Sequence, residues 1–352
     1  MPDTMPAVVN YARSRHAVEL REVPVPTPGE DDVLLSVAAV GVCGSDLHQY
    51  RGDPSWNVEY PVVLGHEFAG TIAALGRRVR GFAEGDRVVS ETAARVDDTS
   101  PFVRAGRYNL DPARRGFGYG VDGAMAPYVV VPARLLHRIP AGLDLIAAAL
   151  TEPACVAYQA VAVNATVRPG DAVLVLGPGP IGLLCARIAA LAGARPLSVA
   201  GTPADAARLE VARRLGATDA VDVTSADVRD ALWSATDGHG YDVVVDATGA
   251  SAALELALEQ VRPAGTIVKV GWGPQPLGFS LDLLVAKAAT LQGSFSHTWT
   301  TWERVLRLQA TGQLALDELV GGIWPLERWH DGFAAMLSGD AVKSVLTPTG
   351  AR

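Results

Sequence analysis

The sequence has little cysteine, no long apolar run and no excess of positive charge. Its three cysteines, Cys43, Cys155 and Cys185, cannot build the disulfide framework that holds small secreted domains together. No run approaches the ~20 apolar residues that a membrane helix needs. The first residues contain neither the basic region nor the apolar core of a signal peptide. We therefore expect an intracellular, cytoplasmic protein.

The net charge of −8 argues against nucleic acid or an anionic membrane as a partner, because both attract basic surfaces. Lysine is scarce, with three residues against a combined Lys+Arg count of 30, and we interpret this as a compositional bias without a function. The 352 residues, 49% hydrophobic and 19% charged, suffice for two globular domains with their own cores.

The first part of the chain, to about residue 150, is predicted to be rich in β-strands. Short apolar runs alternate there with Gly and Pro turns, and the strand candidates are residues 33–40, 68–75 and 86–89. Residues 90–120 are polar and rich in arginine, with few strand formers. We predict a surface lobe for that segment.

From about residue 155 onward, strands and helices are predicted to alternate. Residues 172–176 are a continuous apolar run, as expected of a strand buried on both faces. Further elements of this part are predicted as strands at 197–200, 241–247 and 265–270 and a helix at 206–215. The alternation predicts an α/β domain with a doubly wound parallel sheet. A helix at 302–309 and a strand at 343–346 are predicted to return to the first domain.

Four side chains are candidate metal ligands: Cys43, His66, Glu67 and Glu152. One thiolate, one imidazole and two carboxylates suit a catalytic zinc that keeps an open coordination position. Each residue alone has a simpler interpretation. A lone cysteine is more often a small buried hydrophobe, and Glu152 could cap a helix that starts at Pro153. Their joint occurrence upstream of a glycine-rich turn favours the metal site.

The glycine-rich turn Gly177-Pro178-Gly179-Pro180-Ile181-Gly182 follows an apolar strand and opens an apolar-periodic helix. In that context it predicts a dinucleotide site whose backbone amides bind the pyrophosphate. Gly177 would make the tight turn, Gly179 would let the pyrophosphate approach and Gly182 would permit close packing of the helix on the strand.

These motifs, with Gly123-Ala124-Met125-Ala126 and Gly293-Ser294-Phe295, resemble the zinc-dependent medium-chain alcohol dehydrogenases over nearly the whole chain. The sorbitol (polyol) and threonine dehydrogenases are the branches that it resembles most. The resemblance implies a β-rich GroES-like catalytic domain at 1–155 and 291–352 and a Rossmann domain at 156–290. It also implies hydride transfer between a secondary alcohol and NAD(P), and a homodimer or homotetramer.

The resemblance assigns roles to the candidate residues. Cys43 and His66 correspond to direct zinc ligands. Glu67 binds the metal in the polyol enzymes but only supports the ligands in the classical alcohol dehydrogenases. Glu152 stands where the latter have a cysteine ligand and would bind zinc directly or through the bound water. Zinc acts as a Lewis acid on the alcohol oxygen. Ser45 and His48 match the family's proton relay, since a hydroxyl can both donate and accept. A turn hydroxyl is the simpler interpretation of Ser45.

The substrate pocket is predicted to be walled by aromatic and histidine side chains: Tyr50, Trp56, Tyr119, Phe295, His297 and Trp299. Packing within the lobe is the alternative for these rings. Polyol dehydrogenases have an Arg-Tyr pair after the phenylalanine, whereas Ser296-His297 stands here, which puts sorbitol itself in doubt. A sugar, cyclitol or amino alcohol remains open.

Many relatives hold a structural zinc in the lobe with four cysteines spaced C-x2-C-x2-C-x7-C. At these positions the chain has Asp97, Ser100, Val103 and Asp111. Two aspartates, a serine and a valine do not make a closed zinc site. We therefore predict one zinc per chain and a lobe held by packing or hydrogen bonds.

The choice between NAD and NADP stays open, with a slight lean to NAD. An acidic residue ~20 positions after the glycine turn commonly binds the ribose 2′-hydroxyl. Thr202 stands at that distance, Asp205 would favour NAD, and Arg208 beside the small Gly201 would accommodate a 2′-phosphate. Two alternatives to the dehydrogenase are a zinc-free quinone or enone reductase of the same fold and a dinucleotide-binding protein without catalysis.

Overall fold

The computed structural model describes residues 2–273 and 275–350. The chain divides into two compact units. Pro153–His297 and Gln313–Ala315 form the second unit, and the remaining described residues form the first. Among the described residues, no helix combines the length and the apolar composition needed to cross a bilayer.

The strands are, in chain order, β1 Thr4–Asn10, β2 Val18–Pro24, β3 Asp32–Gly41, β4 Val62–Val63, β5 Glu67–Leu75, β6 Arg87–Ser90, β7 Tyr128–Pro132, β8 Leu136–Arg138, β9 Val173–Leu176, β10 Leu197–Gly201, β11 Asp219–Asp222, β12 Tyr241–Asp246, β13 Val261–Lys269, β14 Thr290–Gly293, β15 Val320–Pro325 and β16 Lys343–Thr347. The helices are α1 Gly44–Arg51, α2 Pro101–Arg104, α3 Leu145–Ala149, α4 Thr151–Tyr158, α5 Pro180–Leu191, α6 Ala206–Arg214, α7 Val228–Ser234, α8 Ser251–Gln260, α9 Asp282–Ala286, α10 Trp299–Ala310 and α11 Trp329–Ser338.

The first unit is built around two sheets. Three strands pair in the order β2-β1-β4, and a second sheet runs β15-β16-β3-β5-β6-β8, with β7 also paired to β3. β3 is central in the second sheet, because it pairs with β16, β5 and β7. Nearly all of its side chains are buried. Val33, Leu35, Phe68 and Leu346 lie in its main hydrophobic core. The predicted β-rich first part is therefore confirmed.

The second unit is a six-stranded parallel sheet in the order β11-β10-β9-β12-β13-β14. Counted within the unit, this is the order 3-2-1-4-5-6 of dinucleotide-binding sheets. All four residues of β9 are buried, as predicted from their continuous apolar run. Helices α5 and α8 pack on the sheet, and Leu254 and Leu258 join the sheet residues in one core. The doubly wound α/β prediction is confirmed.

The structure differs from the sequence prediction in three boundaries. The second unit begins at Pro153 and not at 156. The chain returns to the first unit at Thr298 and not at 291, because Thr290–Gly293 forms β14 and pairs with β13. The helix expected to start at Pro153 begins at Thr151, so that Glu152 lies within its first turn.

Candidate active site

Three of the predicted metal ligands lie together in the first unit. One ligand atom each of Cys43, His66 and Glu67 lies within 4.8 Å of the other two. The sheet register explains this proximity, because β3 and β5 pair with Gly41 opposite Glu67. Cys43 follows two residues after Gly41 as the N-cap of α1. A thiolate, an imidazole and a carboxylate at this separation fit a zinc ion.

Asp46 lies behind His66 and is fully buried. Its Oδ2 accepts a hydrogen bond of 2.9 Å from the amide of Cys43, and its Oδ1 lies 4.0 Å from His66 Nδ1. Burial raises the pKa of Asp46 against the opposing charge of His66. Burial alone would lower the pKa of His66, but the negative charges of Cys43, Asp46 and Glu152 raise it well above its usual value.

Lys343 lies behind Glu67. The ammonium Nζ is 2.5 Å from Glu67 Oε2 and 2.7 Å from Oε1, and both residues are at most 2% exposed. Burial disfavours the ammonium, but the negative charges of Glu67, Cys43 and Glu152 more than offset this and raise the pKa of Lys343. Burial also raises the pKa of Glu67, and the charge of Lys343 opposes this. The ammonium thus lies against one carboxylate of the candidate metal site.

Glu152 is buried in the first turn of α4. Its carboxylate is not among the three ligand atoms that lie within 4.8 Å of one another. Its charge adds to burial in raising the pKa of Glu67, and to the charges of Cys43 and Asp46 in raising the pKa of His66. The neighbouring Thr151 anchors this turn, since two acceptors stand within reach of its one hydroxyl hydrogen, Ala148 O at 2.7 Å and Gln309 Oε1 at 2.8 Å from Oγ1.

The predicted relay residues share helix α1 with the thiolate at its N-cap. Ser45 and His48 are three residues apart on α1, so they lie on one face of the helix. Both are partly exposed. His48 Nδ1 is 3.0 Å from Asp53 Oδ1, and the ring of Trp56 stands edge-on to the imidazole at 6.1 Å.

The glycine turn joins β9 to α5 in the second unit. Gly177 has a positive φ of 93°, and Gly179 is the N-cap of α5 with Pro180 as its first helical residue. A Cβ on Gly182 would lie 1.8 Å from Gly177 O, whereas a Cβ on Gly179 would meet nothing within 4 Å. The helix thus packs tightly at Gly182 and leaves open space at Gly179 for a pyrophosphate.

The residues that follow β10 are bound to one another. Asp205 Oδ2 accepts hydrogen bonds from the amide of Thr202 at 3.0 Å and from its hydroxyl at 2.8 Å. Arg208 Nη1 donates to Asp205 Oδ1 at 3.2 Å. The acidic and the basic candidate for recognising the ribose therefore form one ion pair.

Comparison with known proteins agrees with this geometry. Residues 29–141 match the model of the alcohol dehydrogenase GroES-like domain, and residues 180–311 match that of the zinc-binding dehydrogenases. A sorbitol dehydrogenase of Halalkalibacterium halodurans is 37% identical over 98% of this chain and 99% of its own length. The chain belongs to the zinc-dependent medium-chain alcohol dehydrogenase family. It is an oxidoreductase of alcohols and ketones that uses NAD(P).

Two further members of the family cover almost the same span. The L-threonine 3-dehydrogenase of Pyrococcus horikoshii is 34% identical over 98% of this chain and 99% of its own length. A solved structure of a protein described as a zinc-binding dehydrogenase from Sinorhizobium meliloti, bound to NADP, has a TM-score of 0.90 at 29% identity and covers 99% of this chain and 100% of its own.

Two of the four positions at which the resemblance leads us to expect cysteines, Asp97 and Asp111, make side-chain hydrogen bonds within the lobe. Asp111 Oδ2 accepts from the amide of Asp97 at 2.7 Å, and Asp97 Oδ1 accepts from the amide of Thr99 at 2.9 Å and from its hydroxyl at 2.6 Å. Ser100 and Asp111 are buried, and Val103 lies in the short helix α2. The carboxylates thus bind backbone and hydroxyl donors within the lobe.

A second network fixes the lobe to the rest of the first unit. Tyr108 donates to Glu91 Oε2 at 2.5 Å, and His137 lies between two carboxylates, 3.4 Å from Glu91 Oε1 and 2.7 Å from Glu303 Oε1. The ring of Trp302 stacks on His137 at 5.4 Å. Burial and the charge of Glu91 raise the pKa of Tyr108, so the phenol remains a proton donor.

The six predicted substrate residues contact different partners. Trp56 lies beside His48. Tyr50 instead packs among Trp329 and Phe333, with its hydroxyl 3.1 Å from His330 Nε2.

The other four also differ in their surroundings. Tyr119 is hydrogen-bonded by Arg114, and Trp299 lies 5.7 Å from the ring of His137. In the second unit Phe295 stands 5.9 Å from Trp272, and His297 is buried. Their role in substrate binding stays a prediction.

Sequence reasoning missed Asp46 and Lys343. Asp46 had a local signal, because it stands three residues after Cys43 and forms a capping box with it at the start of α1. Lys343 had a signal in the composition of the chain. In a chain whose positive charge is nearly all arginine, this lysine is buried against Glu67, which the interpretation of the lysines as compositional bias did not anticipate.

Proposed function

We propose that this dehydrogenase oxidises a secondary alcohol with a zinc ion held by Cys43 and His66. Glu67 and Glu152 are the two carboxylates that compete for the next coordination position. The observation that carries the proposal is the group of Cys43, His66 and Glu67, whose ligand atoms lie within 4.8 Å of one another. Zinc would polarise the alcohol oxygen, and NAD(P) would take up the hydride.

The side chains of this chain would hold the metal and move the proton. Asp46 fixes the amide of Cys43 and faces His66 Nδ1, which orients both ligands. Lys343 neutralises Glu67 and so limits the negative charge at the metal. Ser45 would take the proton from the alcohol and hand it to His48 on the same face of α1.

The substrate class we propose is a secondary alcohol on a sugar, polyol, cyclitol or amino alcohol. The similarity to a sorbitol dehydrogenase and to an L-threonine 3-dehydrogenase supports it. Ser296-His297 stands where polyol dehydrogenases have an Arg-Tyr pair, so sorbitol itself is not the favoured member of the class. Trp56 beside His48 is the aromatic side chain best supported as part of the pocket.

For the cofactor we propose NAD. Asp205 follows the end of β10 by four residues, and its charge would repel a 2′-phosphate, while Arg208 Nη1 is already engaged by that carboxylate at 3.2 Å. The binding mode would place the pyrophosphate at Gly179 and at the backbone N–H groups of Ile181 and Gly182 at the helix start. Pro180 has no N–H and contributes only its fixed φ.

We also propose one zinc per chain, a homodimer or homotetramer and a cytoplasmic location. Hydrogen bonds among Asp97, Thr99 and Asp111 support a lobe without metal. All three cysteines are thiols, and the Cys43 ligand needs a reducing compartment to stay so. The outer edge of β14 supports the oligomer, because all four of its residues are exposed.

The test is a screen of secondary alcohols with NAD and with NADP, followed by absorbance of the reduced cofactor. It should be run on protein as purified, after chelation and after zinc is restored, beside Cys43→Ala. We expect turnover that is lost on chelation, regained with zinc and absent in the variant, with a higher kcat/KM for NAD. Enone reduction that survives chelation would indicate the zinc-free reductase instead.

A further inference from the structure

The C-terminal end of α1 turns the chain back onto His48. Gly52 has a left-handed φ of 76° and a Cβ there would lie 2.6 Å from Arg15 N and Ser14 C, so only glycine fits. Its amide bonds to the carbonyl of Gln49, and the amide of Asp53 bonds to the carbonyl of His48 at 3.1 Å. This is the pairing that closes helices with a left-handed residue.

The same turn brings the carboxylate of Asp53 to the imidazole of His48. Asp53 Oδ1 lies 3.0 Å from His48 Nδ1, so Asp53 holds both the backbone and the side chain of this histidine. An ionised carboxylate can only accept hydrogen bonds. The proton of the neutral ring must therefore sit on Nδ1, which leaves Nε2 as the nitrogen that can accept a proton.

We infer that Asp53 is a positioning residue that fixes the tautomer and orientation of His48 for proton transfer. The inference rests on the proposed relay. In each turnover the proton released through Ser45 reaches His48 Nε2, Asp53 goes on accepting from Nδ1, and the same proton leaves Nε2 for a base in solvent. The ring is then neutral again with its proton on Nδ1. The edge-on ring of Trp56 restricts rotation of the imidazole on another side.

A purely structural role would give a different result. The side chains of His48 and Asp53 are 32% and 53% exposed, and an ion pair at such exposure contributes little to stability. Removal of the Asp53 carboxylate should therefore leave the fold intact but let the His48 ring change its orientation. A carboxylate that orients a histidine can, in other sites, change activity or affinity by about 10–100-fold when removed.

The experiment compares Asp53→Ala and Asp53→Glu with the wild-type zinc enzyme. Imidazole nitrogen NMR of 15N-histidine protein, assigned with His48→Gln, reports the tautomer, and steady-state kinetics report kcat and KM separately. We expect the Nδ1–H form in the wild type, a mixture in Asp53→Ala, and a kcat reduced about tenfold or more at similar KM. Asp53→Glu should recover part of the Nδ1–H population and part of kcat. The melting temperature should stay unchanged in each.

Glu59→Gln is the matched control, because it removes a nearby exposed carboxylate that bonds to Asn57 and not to His48. It should leave the tautomer and kcat unchanged. An active wild type whose His48 tautomer or kcat is the same in Asp53→Ala would overturn this inference alone. A zinc-loaded wild type without alcohol turnover would overturn the proposed function, and the relay with it.

Discussion

At the scale of single residues, the charge of Lys343 balances the candidate metal site. Cys43, Glu67 and Glu152 act on it together, and without an ammonium their negative charges would face one another in a buried volume. A buried ion pair that loses one partner leaves an uncompensated charge, which costs about 3–5 kcal/mol. Lys343 is therefore expected to matter for folding as well as for the metal.

We predict that Lys343→Met lowers the free energy of unfolding by about 3 kcal/mol. Urea unfolding of the zinc-free protein measures this. The double variant Lys343→Met/Glu67→Gln should recover much of the loss, since it removes both charges. Arg262→Met is the control, because its pair with Asp242 leaves both side chains partly exposed, at 41% and 27%; an equal loss there would contradict the role of burial.

The three thiols should differ sharply in reactivity. Burial raises the pKa of Cys185 to about 12, so its reactive thiolate is scarce at pH 8 and forms only as the pH nears that value. Cys155 is buried as well, whereas Cys43 is partly exposed. We expect one fast thiol per native chain with a disulfide reagent at pH 8, and its protection by zinc. Two fast thiols would contradict this assignment.

The sequence predicted the ligands of the site better than their partners. Cys43, His66 and Glu67 stand in recognisable segments, because metal chemistry restricts which residue types serve. Lys343 belongs to no such segment. It lies 276 positions from Glu67 in the chain and is brought to it by the pairing of β16 with β3. Such a contact depends on sheet order, which a single sequence does not reveal.

At the scale of elements, different glycines of the β9–α5 turn serve the packing of the helix and the binding of the cofactor. Gly182→Ala would place a methyl 1.8 Å from Gly177 O, and overpacking of this kind typically costs about 1–3 kcal/mol. We expect Gly182→Ala to lower the melting temperature clearly. The helix cannot move away from β9 without disturbing a core in which every β9 residue is buried.

Gly179→Ala should show the opposite behaviour. Nothing lies within 4 Å of the added methyl, and the backbone φ of −70° suits alanine, so the loss of stability should stay below about 1 kcal/mol. The cofactor Kd should rise about tenfold, or ~1.4 kcal/mol, in a fluorescence titration with the reduced cofactor. A stable variant with wild-type affinity would place the pyrophosphate elsewhere.

Edge elements were the least predictable from sequence. The buried strands β9 and β12 were predicted closely, since continuous apolar runs mark strands covered on both faces. β14 was missed and its last three residues were assigned to the other domain, because all four residues of the strand are exposed and lack an apolar pattern. Only its pairing with β13 identifies it.

At the scale of the whole molecule, β14 and α9 form an apolar edge of the second unit. Leu283 and Leu291 are exposed, and Val285 is 79% exposed. No strand among residues 2–273 and 275–350 pairs with the outer edge of β14. Open strand edges pair readily with other chains, and a second copy would cover this one by two-fold symmetry.

We predict that Val285→Glu/Leu291→Glu dissociates the oligomer, because it buries like charges in the proposed interface. Sedimentation should give the wild type a mass of at least about two chains, and the variant the mass of one chain, 36.8 kDa. Ile323→Glu is the control, since this exposed residue lies on β15 of the first unit. A wild-type monomer, or dissociation by the control alone, would contradict the interface.

The Tyr108–Glu91–His137–Glu303 network affects how the protein responds to reagents that attack sulfur. Phenol, carboxylate and imidazole groups hold this lobe, and none of the three cysteines lies between residues 90 and 120. Peroxide and mercurials, which attack sulfur, therefore find no target there. Oxidative stress would inactivate the enzyme at Cys43 while the lobe keeps its shape, so reduction and fresh zinc should restore a working site without refolding.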